Sequence, residues 1–259
     1  IAPELLRRLG AHVTPIHADP DGANINDGSG ALHPEVVAAE VVRRGAEAGL
    51  TLDGDADRAL FADALGDVID GDQVLAANAV AMRVDGSLEG DTVVGTVMSN
   101  LGLLRAMARE GITVIQAPVG DRYVLEEMEA SGAVLGGEQS GHVIFRRQAT
   151  TGDGLLTAVR FLSLAAASGR DVRSLAGVMR RYPQVMINVR VLDREALAGA
   201  APVWEAVSGA EGELGGRGRV LVRASGTEAL VRVMVEAESE DEAGAHAASI
   251  ADVVRAELG

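Results

Sequence analysis

Apolar residues at helical spacing alternate with short apolar runs along most of this chain, and glycine-rich turns separate the two. This alternation restricts the fold more than any other feature, because the two periods bury different faces and cannot exchange. Helical spacing covers 3–9, 34–48, 71–84, 100–110, 121–131 and 153–168, and the runs at 12–17, 49–53, 58–63, 92–97, 112–117 and 133–137 read as strands. Such a pattern predicts α/β units with mostly parallel sheets. From about residue 183 the order changes. MINVRVL, a helix near 202–210, strands at 218–223 and 230–236 and a long helix at 240–257 predict a smaller α+β domain. Breaks at GDVIDGD (66–72) and RRYPQ (180–184) divide the chain into 1–68, 69–180 and 184–259, the first resembling the second half of a doubly wound domain.

Composition narrows the chemistry. No apolar run approaches the roughly 18 residues of a membrane span, so no membrane partner is expected. The absence of cysteine rules out disulfides and thiolate metal sites and agrees with a cytoplasmic location. The opening IAPELLRR carries no targeting pattern and enters a helix directly, unlike a natural start. The net charge is −15 and every basic side chain is arginine. An acidic chain without a basic patch repels nucleic acid. Without lysine there is no Schiff base, and any phosphate must be held by arginine, backbone N–H groups or a metal.

LDGDADRA (52–59) places aspartates at 53, 55 and 57 with small residues between them. The run reads as a buried strand ending in a tight turn, with RALFAD leaving as the next strand. Oxygen ligands at this density suit a hard dication, Mg2+ above all. The alternative is a solvated acidic turn. A calcium loop would need glycine at its sixth position and glutamate at its twelfth, where this chain has Arg58 and Ala64. Arg58 beside three carboxylates points to a further anion, such as a phosphate on the cation.

GGEQSGH (136–142) offers Glu138 and Ser140 to sugar hydroxyls and His142 to proton transfer; a plain turn between strands is the bland alternative. RASGTEALVR (223–232) combines Arg223, Ser225, Gly226, Thr227 and Arg232, an inventory suited to a phosphate monoester, against a polar hairpin. PVGDRYV (118–124) and TTGDGLLTA (150–158) read as loops opening helices, with Arg122 either reaching a ligand or lying on the surface.

In this order the motifs resemble those of the α-D-phosphohexomutase family: DGDADR its DGDGDR metal loop, GEQSGH its GExSGH sugar loop and RASGTEALVR its RxSGTEPLxR phosphate loop. VGDRYV, TTGDGLLTA and the S-G-T-E loop are similar to the branch that interconverts glucosamine 6-phosphate and glucosamine 1-phosphate, on the path to UDP-N-acetylglucosamine and peptidoglycan. That reaction runs through a phosphoserine enzyme and a bisphosphate intermediate. The resemblance implies mixed and parallel-sheet α/β domains with a smaller α+β C-terminal domain. It implies Asp53, Asp55 and Asp57 as Mg2+ ligands, Arg58 and His142 at the reacting centre, and Glu138 and Ser140, with Arg122, toward the sugar. It implies Arg223, Ser225, Gly226, Thr227 and Arg232 around the phosphate that is not reacting. The implied partner is a small phosphosugar, and a homodimer is compatible with the reading.

Departures qualify the implication. The family's phosphoryl carrier is a serine followed by His-Asn, and no such sequence occurs here. The resemblance therefore covers part of domain two with domains three and four, a portion expected to be inactive alone. Ala56 and Ala229 stand where glycine and proline are usual. A positive φ at residue 56 would strain alanine. Two alternatives remain: a phosphomannomutase or phosphoglucomutase, and a non-catalytic sugar-phosphate-binding module.

Overall fold

The computed structural model describes residues 1–226 and 228–259, which form two compact units, one of 1–99 with 103–180 and one of 100–102 with 181–259. In the first unit, α1 (Ala2–Arg8) starts on a proline turn and ends with Arg7 and Arg8 against its negative terminus. Residues 12–17, expected as a strand, form none. Pro15 has no N–H for a ladder, and His17 sits at φ +49°. α2 (Pro34–Arg44) stops earlier than its apolar spacing suggests, because Gly45 adopts the left-handed conformation that caps it. Its Val37, Ala38 and Val41 are buried.

β1 (Ala48–Leu52), β2 (Ala59–Asp63) and β3 (Val68–Ile69) form an antiparallel sheet in that order. The expectation of parallel pairing fails here for a physical reason. Residues 53–58 and 64–67 are far too short for a parallel crossover, which needs about a dozen residues or more.

The chain continues through α3 (Gly71–Val84), β4 (Thr92–Thr96), α4 (Leu101–Arg109), β5 (Thr113–Ala117) and α5 (Asp121–Ser131) to β6 (Leu135–Gly137), β7 (Val143–Phe145), α6 (Gly154–Ser168) and α7 (Val172–Ala176). Asp70 and Gln73 form a reciprocal capping box on α3. The second sheet has the order β5-β4-β6-β7, parallel except for the β6–β7 hairpin. One core joins both sheets: Phe61 and Ile69 are buried with Leu75, Leu103, Leu135 and Phe145, and the Phe61 and Phe161 rings lie 4.8 Å apart. Residue 68 therefore marks no gap in packing. Burying one such phenylalanine contributes about 2–3 kcal/mol.

The second unit contains β8 (Gln184–Arg190), α8 (Ala201–Leu214), β9 (Arg219–Ala224), β10 (Leu230–Glu236) and α9 (Glu240–Leu258). Its sheet is antiparallel with β10 central. Val231, Val233 and Val235 bury one face in a core with Val203, Leu214 and Ile250. Arg232, Met234 and Glu236 occupy the alternate positions, as a period of two requires. Among the described residues no helix is long and apolar enough to cross a membrane.

The β2–β3 turn hangs on one buried carboxylate. Asp63 Oδ1 accepts the Leu65 and Asp67 N–H groups at 2.9 and 3.0 Å, while Oδ2 pairs with Arg173 at 2.7 Å. Replacing Asp63 by alanine strands those two donors, and roughly 1–3 kcal/mol of stability should be lost. A urea-denaturation midpoint matching wild type would disprove this anchoring role.

Candidate functional site

The turn 53–58 closes the β1–β2 hairpin from the Leu52–Ala59 pair. Asp53 Oδ1 accepts the Arg58 N–H at 3.1 Å, and the Ala56 N–H donates to the Asp53 carbonyl at 3.1 Å. This tightness forces Ala56 to φ +61°, a conformation that costs an L-residue roughly 1–2 kcal/mol. Asp53, Asp55 and Asp57 each bring a carboxylate oxygen within 4.8 Å of the others. At an effective dielectric of about 20, each pair of charges at such a distance repels by roughly 3–4 kcal/mol. Burial, then the Asp57 carboxyl, push the Asp53 pKa up, against the Arg58 N–H and charge.

Arg58 only partly compensates the turn. Its Nε lies 3.7 Å from Asp53 Oδ2 and 3.6 Å from Asp57 Oδ1, beyond hydrogen-bond reach. Both Asp57 Oδ1 and Arg58 Nε are buried without a hydrogen-bond partner. A convergent all-oxygen donor set with one orphaned carboxylate oxygen fits a hard divalent cation.

The same residues border a cavity of about 280 Å³ that also receives Ser140, whose buried Oγ has no hydrogen-bond partner. Ser140 arrives on the β6–β7 turn, which docks through the Ala59 N–H to the Gly141 carbonyl (3.1 Å) and the Gly71 N–H to the Gln139 carbonyl (3.0 Å). Asn26 and Leu32 also line the cavity, with Ala31 and Leu60. Sequence reasoning missed Asn26 and Leu32, although the Asn-rich NINDGSG run and the φ of +58° at Asn26 mark a specialised loop. A wider groove of about 620 Å³ runs past His17, Glu35, Glu40 and Arg44. Glu40 and Arg44 pair with each other there at 2.6 Å, which leaves the smaller cavity as the candidate site.

The other expected residues of this unit are placed differently. His142 is only 2% exposed; Nδ1 lies 3.0 Å from Asp57 Oδ2, and Nε2 accepts the Gly152 N–H at 3.0 Å. With both nitrogens engaged, it has none free to exchange a proton with a ligand. One oxygen of Glu138 accepts the Gly120 N–H at 2.9 Å, tying the sugar-loop motif to the PVGDRYV loop. Arg122 is 81% exposed, pairs with Glu126 at 2.7 Å and does not line the cavity. The TTGDG segment, read only as a helix start, supports the acidic turn: the Gly154 N–H donates to the Ala56 carbonyl at 2.8 Å. A Cβ at residue 154 would meet the Arg58 carbonyl oxygen at 2.6 Å, so only glycine allows the approach.

In the second unit, Arg223 and Arg232 face each other across β9 and β10. The Nε atoms of both are buried without a hydrogen-bond partner. Burial, and secondarily the Arg232 charge, push the Arg223 pKa down. Glu228 reaches Arg232 only at 3.5 Å. Ser225 Oγ accepts the Glu228 N–H at 3.3 Å, and Arg194, another residue missed from sequence, donates to the Ser225 carbonyl at 2.8 Å. Gly226 lies in this turn. Thr227 falls outside the described residues. Two desolvated guanidinium groups beside a polar turn fit an anion with several oxygens.

The chain thus carries an acidic turn with the donor set of a hard-cation site on an α/β unit and an arginine pair suited to an anion on an α+β unit. Residues 70–182 match the model for phosphoglucomutase/phosphomannomutase alpha/beta/alpha domain III, and residues 186–253 match that for the phosphoglucomutase/phosphomannomutase C-terminal domain. The chain belongs to the phosphoglucomutase/phosphomannomutase family. Curated relatives include the phosphoglucosamine mutase of Streptomyces griseus subsp. griseus, 56% identical over 259 residues, and that of Frankia alni, 55% over 258. All of this chain is covered in both comparisons, and it spans 57% of the length of each relative. Among solved structures, a phosphoglucomutase/phosphomannomutase family protein from Burkholderia thailandensis superposes with a TM-score of 0.79 at 22% identity, covering 99% of this chain and 57% of that one. Aspergillus fumigatus N-acetylphosphoglucosamine mutase, solved with GlcNAc-6P and magnesium, gives 0.73 at 19%, covering 90% and 54%. Both show the shared fold.

Strain and charge at the two turns are open to measurement. Ala56→Gly should stabilise the metal-free chain by about 1 kcal/mol, read from thermal denaturation in chelator; an unchanged melting temperature would mean that the turn is unstrained. Arg223→Met should add about 0.2–1 kcal/mol by removing a like-charge pair, while abolishing the rise in melting temperature that inorganic phosphate gives wild type. A variant that still responds to phosphate would exclude the arginine pair as the anion site.

Proposed function

We propose that this chain carries the metal- and sugar-phosphate-binding part of a phosphoglucosamine mutase, the enzyme that interconverts glucosamine 6-phosphate and glucosamine 1-phosphate. One observation carries the reading: three carboxylates and Arg58 border one cavity with the unpartnered hydroxyl of Ser140. Identities of 52–56% along the whole chain to relatives of that name favour the amino sugar over mannose or glucose phosphates. The three-part division at 1–68, 69–180 and 184–259 draws support from the matched stretches 70–182 and 186–253. A cytoplasmic setting fits a substrate of this kind.

Asp53, Asp55 and Asp57 would hold Mg2+, and the chemistry it would supply when bound is positive charge beside a phosphoryl group in transfer. Arg58 is held by the turn's own backbone, and its guanidinium is available to orient phosphate oxygens. Ser140 offers its hydroxyl to a sugar hydroxyl, and Glu138 has an oxygen beyond the one used by Gly120. Arg223, Arg232, Ser225 and Gly226, with Thr227, hold the phosphate that is not reacting. Phosphoryl transfer depends chiefly on positioning and charge stabilisation, and these residues supply both. The phosphoserine step is assigned to residues that this chain does not contain.

A graft tests the assignment. This chain is substituted for the matching 57% of the Streptomyces griseus relative, and the hybrid is assayed with glucosamine 6-phosphate, mannose 6-phosphate and glucose 6-phosphate. The amino sugar should be turned over fastest, and Asp55→Asn in the grafted segment should lower kcat at least 100-fold. Preference for mannose or glucose phosphate would overturn the substrate, and full activity in Asp55→Asn would overturn the metal assignment.

A further inference from the structure

We infer that His142 is a positioning residue for Asp57, held as its Nδ1–H tautomer by the Gly152 amide, and that it aims one carboxylate oxygen at a cation. The inference rests on the reading of Asp57 as a metal ligand. It follows from which of the atoms around the ring can donate and which can only accept. A backbone N–H can only donate, so the Gly152 N–H, 3.0 Å from Nε2, requires that Nε2 carry no hydrogen. The ring proton of neutral His142 must then sit on Nδ1, where it meets Asp57 Oδ2 at 3.0 Å.

The consequence for Asp57 is an asymmetry. Oδ2 is occupied by the imidazole, whereas Oδ1 is buried without a hydrogen-bond partner and lies 3.6 Å from Arg58 Nε. A carboxylate with one oxygen bound from behind loses rotational freedom, and its other oxygen becomes a preorganised ligand. His142 cannot slip away. Its backbone bridges Arg58, and its side chain is 2% exposed. A Cβ on residue 152 would lie 2.4 to 2.6 Å from three atoms of the ring. The same short segment touches the turn a second time through the Gly154 N–H and the Ala56 carbonyl. Residues 152–154 and His142 thus form a single brace behind the acidic turn, and glycine at 152 is what lets the amide reach the ring.

The test uses Mn2+ as the probe, its binding to the 259-residue chain followed by electron paramagnetic resonance. His142→Ala should weaken Mn2+ binding about 10–100-fold, the usual effect of removing a group that orients a ligand. His142→Asn puts an amide N–H close to the Nδ1 position and should stay within about 3-fold of wild type; His142→Gln, whose amide lies nearer Nε2, should not rescue. Gly152→Ala should weaken binding, with little further loss when combined with His142→Ala. Imidazole 15N spectra of wild type should give a pyridine-like Nε2 and a pyrrole-like Nδ1, assigned by the signals missing in His142→Ala. The assignment can equally be made with His142→Asn, so these spectra report on the brace even where His142→Ala or Gly152→Ala fails to fold. Equal Mn2+ affinity in wild type and His142→Ala, or a protonated Nε2, overturns the positioning role alone. No Mn2+ binding by wild type overturns the metal reading and this inference with it.

Discussion

Mutual repulsion among Asp53, Asp55 and Asp57 is the constraint around which the first unit is organised. Their oxygens lie within 4.8 Å of one another, and such a cluster opens unless the backbone holds it closed. The holding is visible at each end of the turn. Arg58 N–H bonds the first carboxylate, His142 bonds the third, and Gly154 bonds the carbonyl between them. The costs of that closure surface as a positive φ at Ala56 and a raised Asp53 pKa. Strain and unbalanced charge gathered in one turn are the physical grounds for treating it as a candidate functional site.

The second unit contains the same arrangement with the sign reversed. Arg223 and Arg232 are register partners with buried, unbonded Nε atoms, where a stability-optimised sheet would place opposite charges or apolar pairs. One unit therefore stores incompletely compensated negative charge and the other incompletely compensated positive charge. Among the described residues the opposite charges stand off: Arg58 Nε stays at 3.6 to 3.7 Å from the carboxylates, and Glu228 stays at 3.5 Å from Arg232. On the proposed function, a divalent cation would supply the sign that the first unit lacks, and a phosphate the sign that the second lacks.

What the sequence disclosed divides along the range of the interactions. The spacing of Asp53, Asp55 and Asp57 and the small residues between them are local, so the convergence of the carboxylates is legible in the residues themselves. Element positions such as Gly71–Val84 and Asp121–Ser131 follow from local periodicity as well. Sheet direction is non-local, and the parallel expectation for the first sheet overlooked how short its connections are. The strand expected at 12–17 had the right residue types but lacked a partner and a donor at Pro15. Least legible were contacts that bring distant segments together. Nothing in GEQSGH announces that His142 has its second nitrogen bound by Gly152, because an amide–imidazole bond between loops leaves no periodic trace. Thr227, expected in the phosphate turn, lies outside the residues described.

The overall charge also bears on how such a site works. A chain at −15 raises the local concentration of cations and lowers that of anions such as sugar phosphates. Long-range steering would therefore assist a cation and oppose a sugar phosphate. Affinity for such an anion would have to come from short-range groups, and the only cationic side chains this chain offers other than histidine are arginines. Arginine suits the task better than lysine would, since its planar fork can bond two phosphate oxygens at once and keeps its charge when partly desolvated. The local arginines thus work against the global field, and their partial burial lessens the screening of their charge by solvent and salt.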